Sequence, residues 1–211
     1  MIIKKIQTGK WGNCNLYLHS YNNNLYVEKT FENHHPLIKN TLGRFLIERE
    51  YKILKKLHPC NGTCDNVVRI NSFSLRYRYI KGQKLSSFSR QGRTLDEKFF
   101  KKLENAVKEI HACGIVHLDL RNGSNIIVSE QKNPLIIDFN SSLNLNLIPG
   151  TTLKTLLKNI DLSGVYKYWA KINPGTLKKE KKKLLIQSNR KRRLWFLRGY
   201  MLESHVKKKK T

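Results

Sequence analysis

A chain of 211 residues is long enough to bury a real core, as one two-lobed domain or as two small ones. Lys and Arg number 41 against 15 Asp and Glu, a formal net charge of +26. Such a surface favours anionic partners (nucleic acid, anionic lipid heads, phosphorylated sugars, nucleotide) and disfavours a cationic substrate. No run of about 18 apolar residues is present, so no membrane span is expected. The opening MIIKKIQTGK lacks the apolar core of a signal peptide. The expected location is the cytoplasm, where the charge also suits a peripheral place on the inner membrane face. Four scattered cysteines, Cys14, Cys60, Cys64 and Cys113, fit reduced thiols.

Residues 1–30 read as three strands. Ile2, Ile3 and Ile6 lead into a loop holding Gly9 and Gly12. Leu16 to Leu18 and Leu25 to Val27 then alternate around Asn22, Asn23 and Asn24. The third strand ends at Lys29. Residues 37–57 form one long amphipathic helix in this reading, with Phe45, Leu46, Tyr51, Ile53, Leu54 and Leu57 as its stripe and Glu50 just before the apolar register. His58, Cys60 and Cys64 are metal-ligand types, but a tetrahedral site needs a fourth, so a turn after the helix is expected. Two short strands follow at 67–73 and 75–80, and Gly82 supplies a bend after Tyr79 and Lys81. Thr94 to Glu97 reads as a capping box with Thr94 as N-cap. The helix it opens uses Leu95, Phe99, Leu103, Val107 and Ile110, and stops at Gly114.

The stretch 114–140, GIVHLDLRNGSNIIVSEQKNPLIIDFN, organises the rest. Its two apolar strands, 125–129 and 135–139, turn at Asn133 and Pro134. They bring Asp119, Asn125 and Asp138 to one end of a small sheet. A carboxylate at the edge of an apolar region is unfavourable unless it is paired or binds a cation. The plainer reading is a pair of capping or turn Asp residues. Beyond it the chain turns helical and basic. Leu162, Val165, Tyr166 and Trp169 share one face of 161–171. A Lys-interrupted helix covers 175–187, then RKRRLWFLR mixes cations with Trp195 and Phe196, and the end is a Lys run at 207–210.

HLDLRNGSN followed by IIDFN resembles the catalytic loop and metal-binding strand end of the protein-kinase-like superfamily. The likeness is greatest to its short atypical branch, the RIO-type and bacterial lipopolysaccharide-kinase-like proteins. It covers roughly residues 5–140. It implies an α+β fold of two lobes, a small antiparallel-sheet N-lobe at 1–81 and a mainly helical C-lobe at 82–206, with a basic tail at 207–211. It also implies ATP and Mg²⁺ as cofactors and an alcohol group as acceptor, either a protein Ser or Thr or an anionic saccharide-lipid such as lipopolysaccharide core. Asp119 is then the catalytic carboxylate and Asn125 and Asp138 hold the metal. Arg121 stands where the family has a catalytic-loop lysine facing the γ-phosphoryl group. Lys29, paired with Glu50, contacts the α- and β-phosphates. Gly9 and Gly12 lie where the family covers the phosphates, and Tyr79 and Lys81 where the hinge holds adenine. His117 reads as scaffold.

Two departures stand out. Asn125 is one residue further from Asp119 than usual, through an insertion around 122–124. Asn140 replaces the glycine after Asp-Phe, a position where Asn tolerates positive φ. No Ala-Pro-Glu motif follows, and Leu118 precedes Asp119 where regulated kinases have Arg. These departures, with the charge, frame the alternative: a catalytically weak or inactive kinase-like module that binds RNA or anionic membrane.

Overall fold

The computed structural model describes residues 2–9 and 13–194, with side chains as far as 190. Gly12, Trp195, Phe196 and the Lys run at 207–210 therefore lie outside the described residues.

Among them, the N-terminal region is a five-stranded antiparallel sheet in the order β1-β2-β3-β5-β4, formed by β1 (Ile2–Gln7), β2 (Asn15–Tyr21), β3 (Asn24–Thr30), β4 (Val68–Asn71) and β5 (Ser74–Arg78). Asn22 and Asn23 both take positive φ, 47° and 58°, which makes the two-residue turn that matches strand twist between β2 and β3. Lys29 faces Leu75 across the β3–β5 ladder, beside Val27 opposite Tyr77, so lysine and apolar side chains occupy neighbouring places in one buried sheet. The two later strands are shorter than the sequence suggests, because Ser72 and Phe73 turn between them, with Phe73 N donating to Asn71 Oδ1 at 2.8 Å.

The helix expected at 37–57 is broken. A short α1 (Pro36–Ile38) passes into a π-helical turn, Lys39–Gly43, before α2 (Arg44–Lys56). The break sits where Gly43 lies against the Phe31 ring; a Cβ there would come within 2.8 Å of it. The extra residue changes the register at the start of α2. Phe45 is 61% exposed and Ile47 faces inward in its place, whereas Ile53, Leu54 and Leu57 are buried as expected, with Glu50 on their face.

After β6 (Gly82–Lys84) and α3 (Leu85–Arg90), the long helix α4 (Glu97–Ala112) begins later than the capping box suggests. Asp96, not Thr94, is the N-cap: its carboxylate accepts from Phe99 N at 2.9 Å. An ionised acceptor at the positive end of the helix wins over a hydroxyl two residues earlier. Gly114 follows the C-cap with φ 73°. β7 (Ile115–Val116) leads to the central stretch, in which β8 (Ile126–Ser129) pairs with β6 on one side and β9 (Pro134–Ile136) on the other in a three-stranded sheet. β10 (Leu143–Asn144) returns at once to pair with β7.

The C-terminal region is helical. α5 (Thr151–Ile172) starts ten residues before the sequence pattern at 161 suggests and buries Val165, Tyr166 and Trp169, whose ring stacks on Phe100 of α4 at 5.3 Å. α6 (Lys179–Leu194) lies along α5. The structure is thus α+β, an antiparallel-sheet region followed by a helical one. No described helix is long and apolar enough to cross a membrane.

Candidate active site

Three charged side chains from distant parts of the chain meet between the two regions. The Lys29 ammonium donates to both Glu50 oxygens at 2.7 Å and to Asp138 Oδ1 at 3.0 Å. Each position follows from local structure: β3 aims Lys29 inward, α2 carries Glu50 on the same buried face as Ile53, Leu54 and Leu57, and Asp138 sits just past β9. Lys29 and Glu50 side chains are 3% and 2% exposed, whereas Asp138 is 44% exposed. Burial alone would pull the Lys29 ammonium down, but Asp138 and Glu50 outweigh it and hold its pKa well above the ordinary value. Burial pushes Glu50 up against the pull of Lys29, while Lys29 draws the more open Asp138 down.

Helix α2 also grips the segment beyond Asp138. Glu50 Oε1 accepts from Phe139 N at 3.2 Å, and Arg49 donates to the carbonyls of Asn140, at 3.1 Å, and Ser142. Nothing in the sequence singled out Arg49, one of 41 cations. Asn140 does not need the positive φ expected of it. That conformation falls on Asp138 itself (φ 64°), and residues 139–141 form a 3-10 turn.

The loop before β8 arranges the second cluster. Asn125 Nδ2 donates to Asp119 Oδ2 at 2.8 Å and to its backbone carbonyl at 3.1 Å. Asn122, from the inserted stretch, donates to Asp119 Oδ1 at 3.1 Å and accepts from Ser124 N at 2.7 Å. The insertion is absorbed as a side-chain turn that gives Asp119 a second amide donor. Gly123 (φ 68°) makes it possible, since a Cβ there would lie 2.4 Å from the Tyr168 ring. Burial raises the Asp119 pKa, opposed mainly by the Asn125 bond.

Beneath this loop lies Asp161, a residue the sequence reading did not select. Its buried carboxylate accepts from His117 N at 2.8 Å, Leu118 N at 2.7 Å and His111 Nε2 at 2.9 Å. Those bonds hold Leu118 at φ 66°, an unfavourable conformation for a branched side chain. His117 is fully buried, bonded through Nε2 to Ile137 O at 3.0 Å and through Nδ1 to Asp119 N at 3.3 Å. The only available signal for Asp161 was an acidic residue on an apolar helix face.

The family model of the protein kinase domain matches residues 1–158, from β1 into α5. The chain belongs to the protein kinase domain family. No curated protein matches it. A kinase-like phosphotransfer function follows from the family.

Within this kinase domain the other selected residues are dispersed. Arg121 does not stand in the Lys29 cluster; it donates to Ser163 Oγ on α5 and to Asn189 Oδ1 on α6, both at 2.7 Å, so the C-terminal helices occupy two of its nitrogens. Tyr79 N donates to Leu25 O at 2.8 Å, which ties the hinge stretch to β3. Lys81 is exposed and pairs with Glu130 at 2.8 Å. Gly9 N donates to Asn15 Oδ1 at 3.0 Å, which closes the base of the first loop. Cys60 and Cys64 diverge, Cys64 toward Ile136 O and Cys60 toward Cys113.

Asp138 and Asn125 carry side-chain oxygens of the type that a hard divalent cation such as Mg²⁺ takes, and the Asp138 side chain is 44% exposed.

Proposed function

We propose that this kinase domain is an active ATP-dependent phosphotransferase that passes the γ-phosphoryl group to an acceptor hydroxyl. The observation that carries this reading is Lys29, held between Glu50 and Asp138 with all three ammonium protons engaged. Glu50 is buried and fixed, whereas Asp138 is half open. With nucleotide bound, Lys29 would give up its Asp138 contact for phosphate oxygens while Glu50 keeps it oriented. Asp138 and Asn125 would then hold Mg²⁺, which would supply charge neutralisation on the triphosphate. Asp119 orients the acceptor hydroxyl and takes its proton, and two amides from Asn122 and Asn125 fix its plane. Asn125 thus ties the metal ligands to the base. Arg121 supports the loop from the α5 side; in this reading it is not the γ-phosphoryl contact.

The acceptor is a protein Ser or Thr, as in RIO-type kinases, or an anionic saccharide-lipid, as in lipopolysaccharide-kinase-like proteins. The saccharide-lipid is favoured by two features. β10 returns to β7 directly after the Asp138 turn and α5 opens at Thr151, which leaves little chain for a peptide-docking segment. The +26 charge suits an anionic acceptor at the inner membrane face. A catalytically silent module binding RNA or anionic membrane would need neither the Lys29 contacts nor the amide-braced Asp119.

The test is transfer of labelled γ-phosphate from Mg-ATP into lysate separated into protein and lipid-saccharide fractions. Asp119→Asn is expected to lower transfer by roughly 10²–10⁴-fold while nucleotide binding persists. Because burial raises the Asp119 pKa, activity should fall on the acid side above the ordinary carboxylate range. Label that is indifferent to Asp119→Asn would overturn the assignment. Absence of both label and Mg-ATP binding would leave the binding-module reading standing.

A further inference from the structure

Cys60 and Cys113 are far apart in sequence, yet their sulfurs lie 3.0 Å apart. Both are held from two sides. Cys60 closes the turn after α2, its N–H donating to Leu57 O at 2.8 Å and its carbonyl accepting from Thr63 Oγ at 3.1 Å. Cys113 is the C-cap of α4, its N–H bonded to Glu109 O at 3.0 Å. Glu109 also binds the other side, since its Oε2 accepts from Asn61 N at 2.8 Å. One glutamate therefore clamps the residue after Cys60 and the helix end that bears Cys113. The sulfurs need to approach by about 1 Å to reach covalent separation, a small movement for two turn residues.

We propose that Cys60 and Cys113 are a closing dithiol, which a small-molecule disulfide such as oxidised glutathione converts to an intramolecular disulfide. Cys113 is the more exposed residue of the two and starts the exchange. Its thiolate attacks one sulfur of glutathione disulfide, forms a mixed disulfide and expels a glutathione thiolate. Cys60 then loses its proton and attacks the Cys113 sulfur, which expels the second glutathione. Two protein thiols are oxidised and one external disulfide is reduced to two thiols, so hydrogen and electrons balance. Burial pushes Cys60 up to about 12, so it stays a thiol until the mixed disulfide stands next to it. The other two cysteines serve as internal controls: Cys14 and Cys64 are buried, and no sulfur–sulfur contact involves them among the described residues.

The bond would join two elements that carry the candidate site. Cys60 ends the turn after α2, the helix of Glu50, and Cys113 directly precedes Gly114 and β7, which lead to Asp119. A disulfide here fastens the Glu50 helix to the root of the catalytic loop. That catalytic consequence rests on the phosphotransferase reading; the bond itself does not.

The experiment uses the full chain, equilibrated across glutathione ratios up to fully oxidised, quenched with an alkylating agent and mapped as non-reduced peptides. The expected product is one linked peptide pair, Cys60 with Cys113, reversed by reductant. The unfolding midpoint should rise by roughly 5–10 °C on oxidation. Cys60→Ser should instead retain glutathione on Cys113, and Cys113→Ser should leave Cys60 unmodified. A mixed disulfide that persists on wild-type Cys113, a link to Cys14 or Cys64, or free thiols in fully oxidised glutathione would each overturn the proposal. Because the readout is covalent, it stands or falls without reference to phosphotransfer.

Discussion

Two buried carboxylates organise the centre of this molecule, and they are satisfied in opposite ways. Glu50 is neutralised by a side-chain cation, Lys29, and spends one further oxygen contact on Phe139 N. Asp161 is satisfied by two backbone amides, His117 N and Leu118 N, together with the His111 side chain. The difference matters because a side-chain cation can be deleted along with its carboxylate, whereas a backbone N–H cannot. Glu50 and Lys29 therefore form a pair that can be replaced together, and under the proposed phosphotransfer its role is to orient the lysine. Asp161 is a fixed acceptor that a backbone turn requires, including the positive φ of Leu118.

The largest effect should come from breaking the second arrangement. Asp161→Ala strands two buried amides and one imidazole, and is expected to lower stability by about 3–5 kcal/mol in denaturant titration. Adding His111→Leu should recover little, because the amides remain. A double variant as stable as wild type would show that the backbone donors find other acceptors.

Lys29→Met should come next, at about 3 kcal/mol, since it leaves Glu50 buried without its cation. Here the second change does help: Lys29→Met with Glu50→Leu is expected within about 1–2 kcal/mol of wild type, the remainder being the orphaned Phe139 N–H. Both variants should be inactive in γ-phosphate transfer, which separates the pair's stability role from its catalytic one. The single variant also tests the alkaline side. The folded pKa of Lys29 lies above its ordinary value, so its contribution is fully present below about 10.5 and is lost as pH rises through the folded value. Wild-type stability should therefore hold into mildly alkaline buffer.

A smaller effect belongs to the inserted loop. The Asn122 bond helps draw the Asp119 pKa down against burial. Asn122→Ala should move the acid limb of kcat/KM to higher pH, because the base form is then lost sooner as pH falls. An unmoved limb would make Asn122 a spacer only.

The smallest is Glu104, which supports α4 against α5 and α6 by accepting from Tyr166 Oη at 3.0 Å and pairing with Lys108 and Lys181. Burial alone would raise its pKa, but these donors carry it below the ordinary value. Its contribution is present above about 4.5 and disappears as pH falls through the folded value. Glu104→Gln should cost about 1 kcal/mol at neutral pH and flatten the acid side of the stability profile.

Much of this arrangement was legible in the sequence because it is written locally. The order of strands at the start, the apolar runs around Asp119 and Asp138, and the amphipathic helix after Lys29 carry the α+β architecture, while the pairing of Lys29 with Glu50 was implied by the resemblance to the kinase superfamily. Alternation and helical periodicity respond to neighbours a few residues apart, so they survive in one dimension. The limits of that information appear at specific places. Phe45 was assigned inward and points out, because a π turn at Lys39–Gly43, set by the Phe31 ring against Gly43, shifts the helix stripe. Asp96 displaced Thr94 as the cap because the end of the helix is settled by which acceptor reaches the amides.

What the sequence alone determined is which residue types stand at which short spacings. What only the tertiary structure decided is which of many equivalent groups meet across long separations. With 41 cations in the chain, charge says nothing about why Arg49 rather than another holds the Asn140 carbonyl, or why Arg121 turns to Ser163 and Asn189. Asp161 and Cys113 likewise look ordinary in the chain, and acquire meaning only when packing brings backbone amides to one and a second sulfur to the other. Such partners are chosen by where the core forces each backbone segment to run, and a buried polar group must then take whatever partner is within reach.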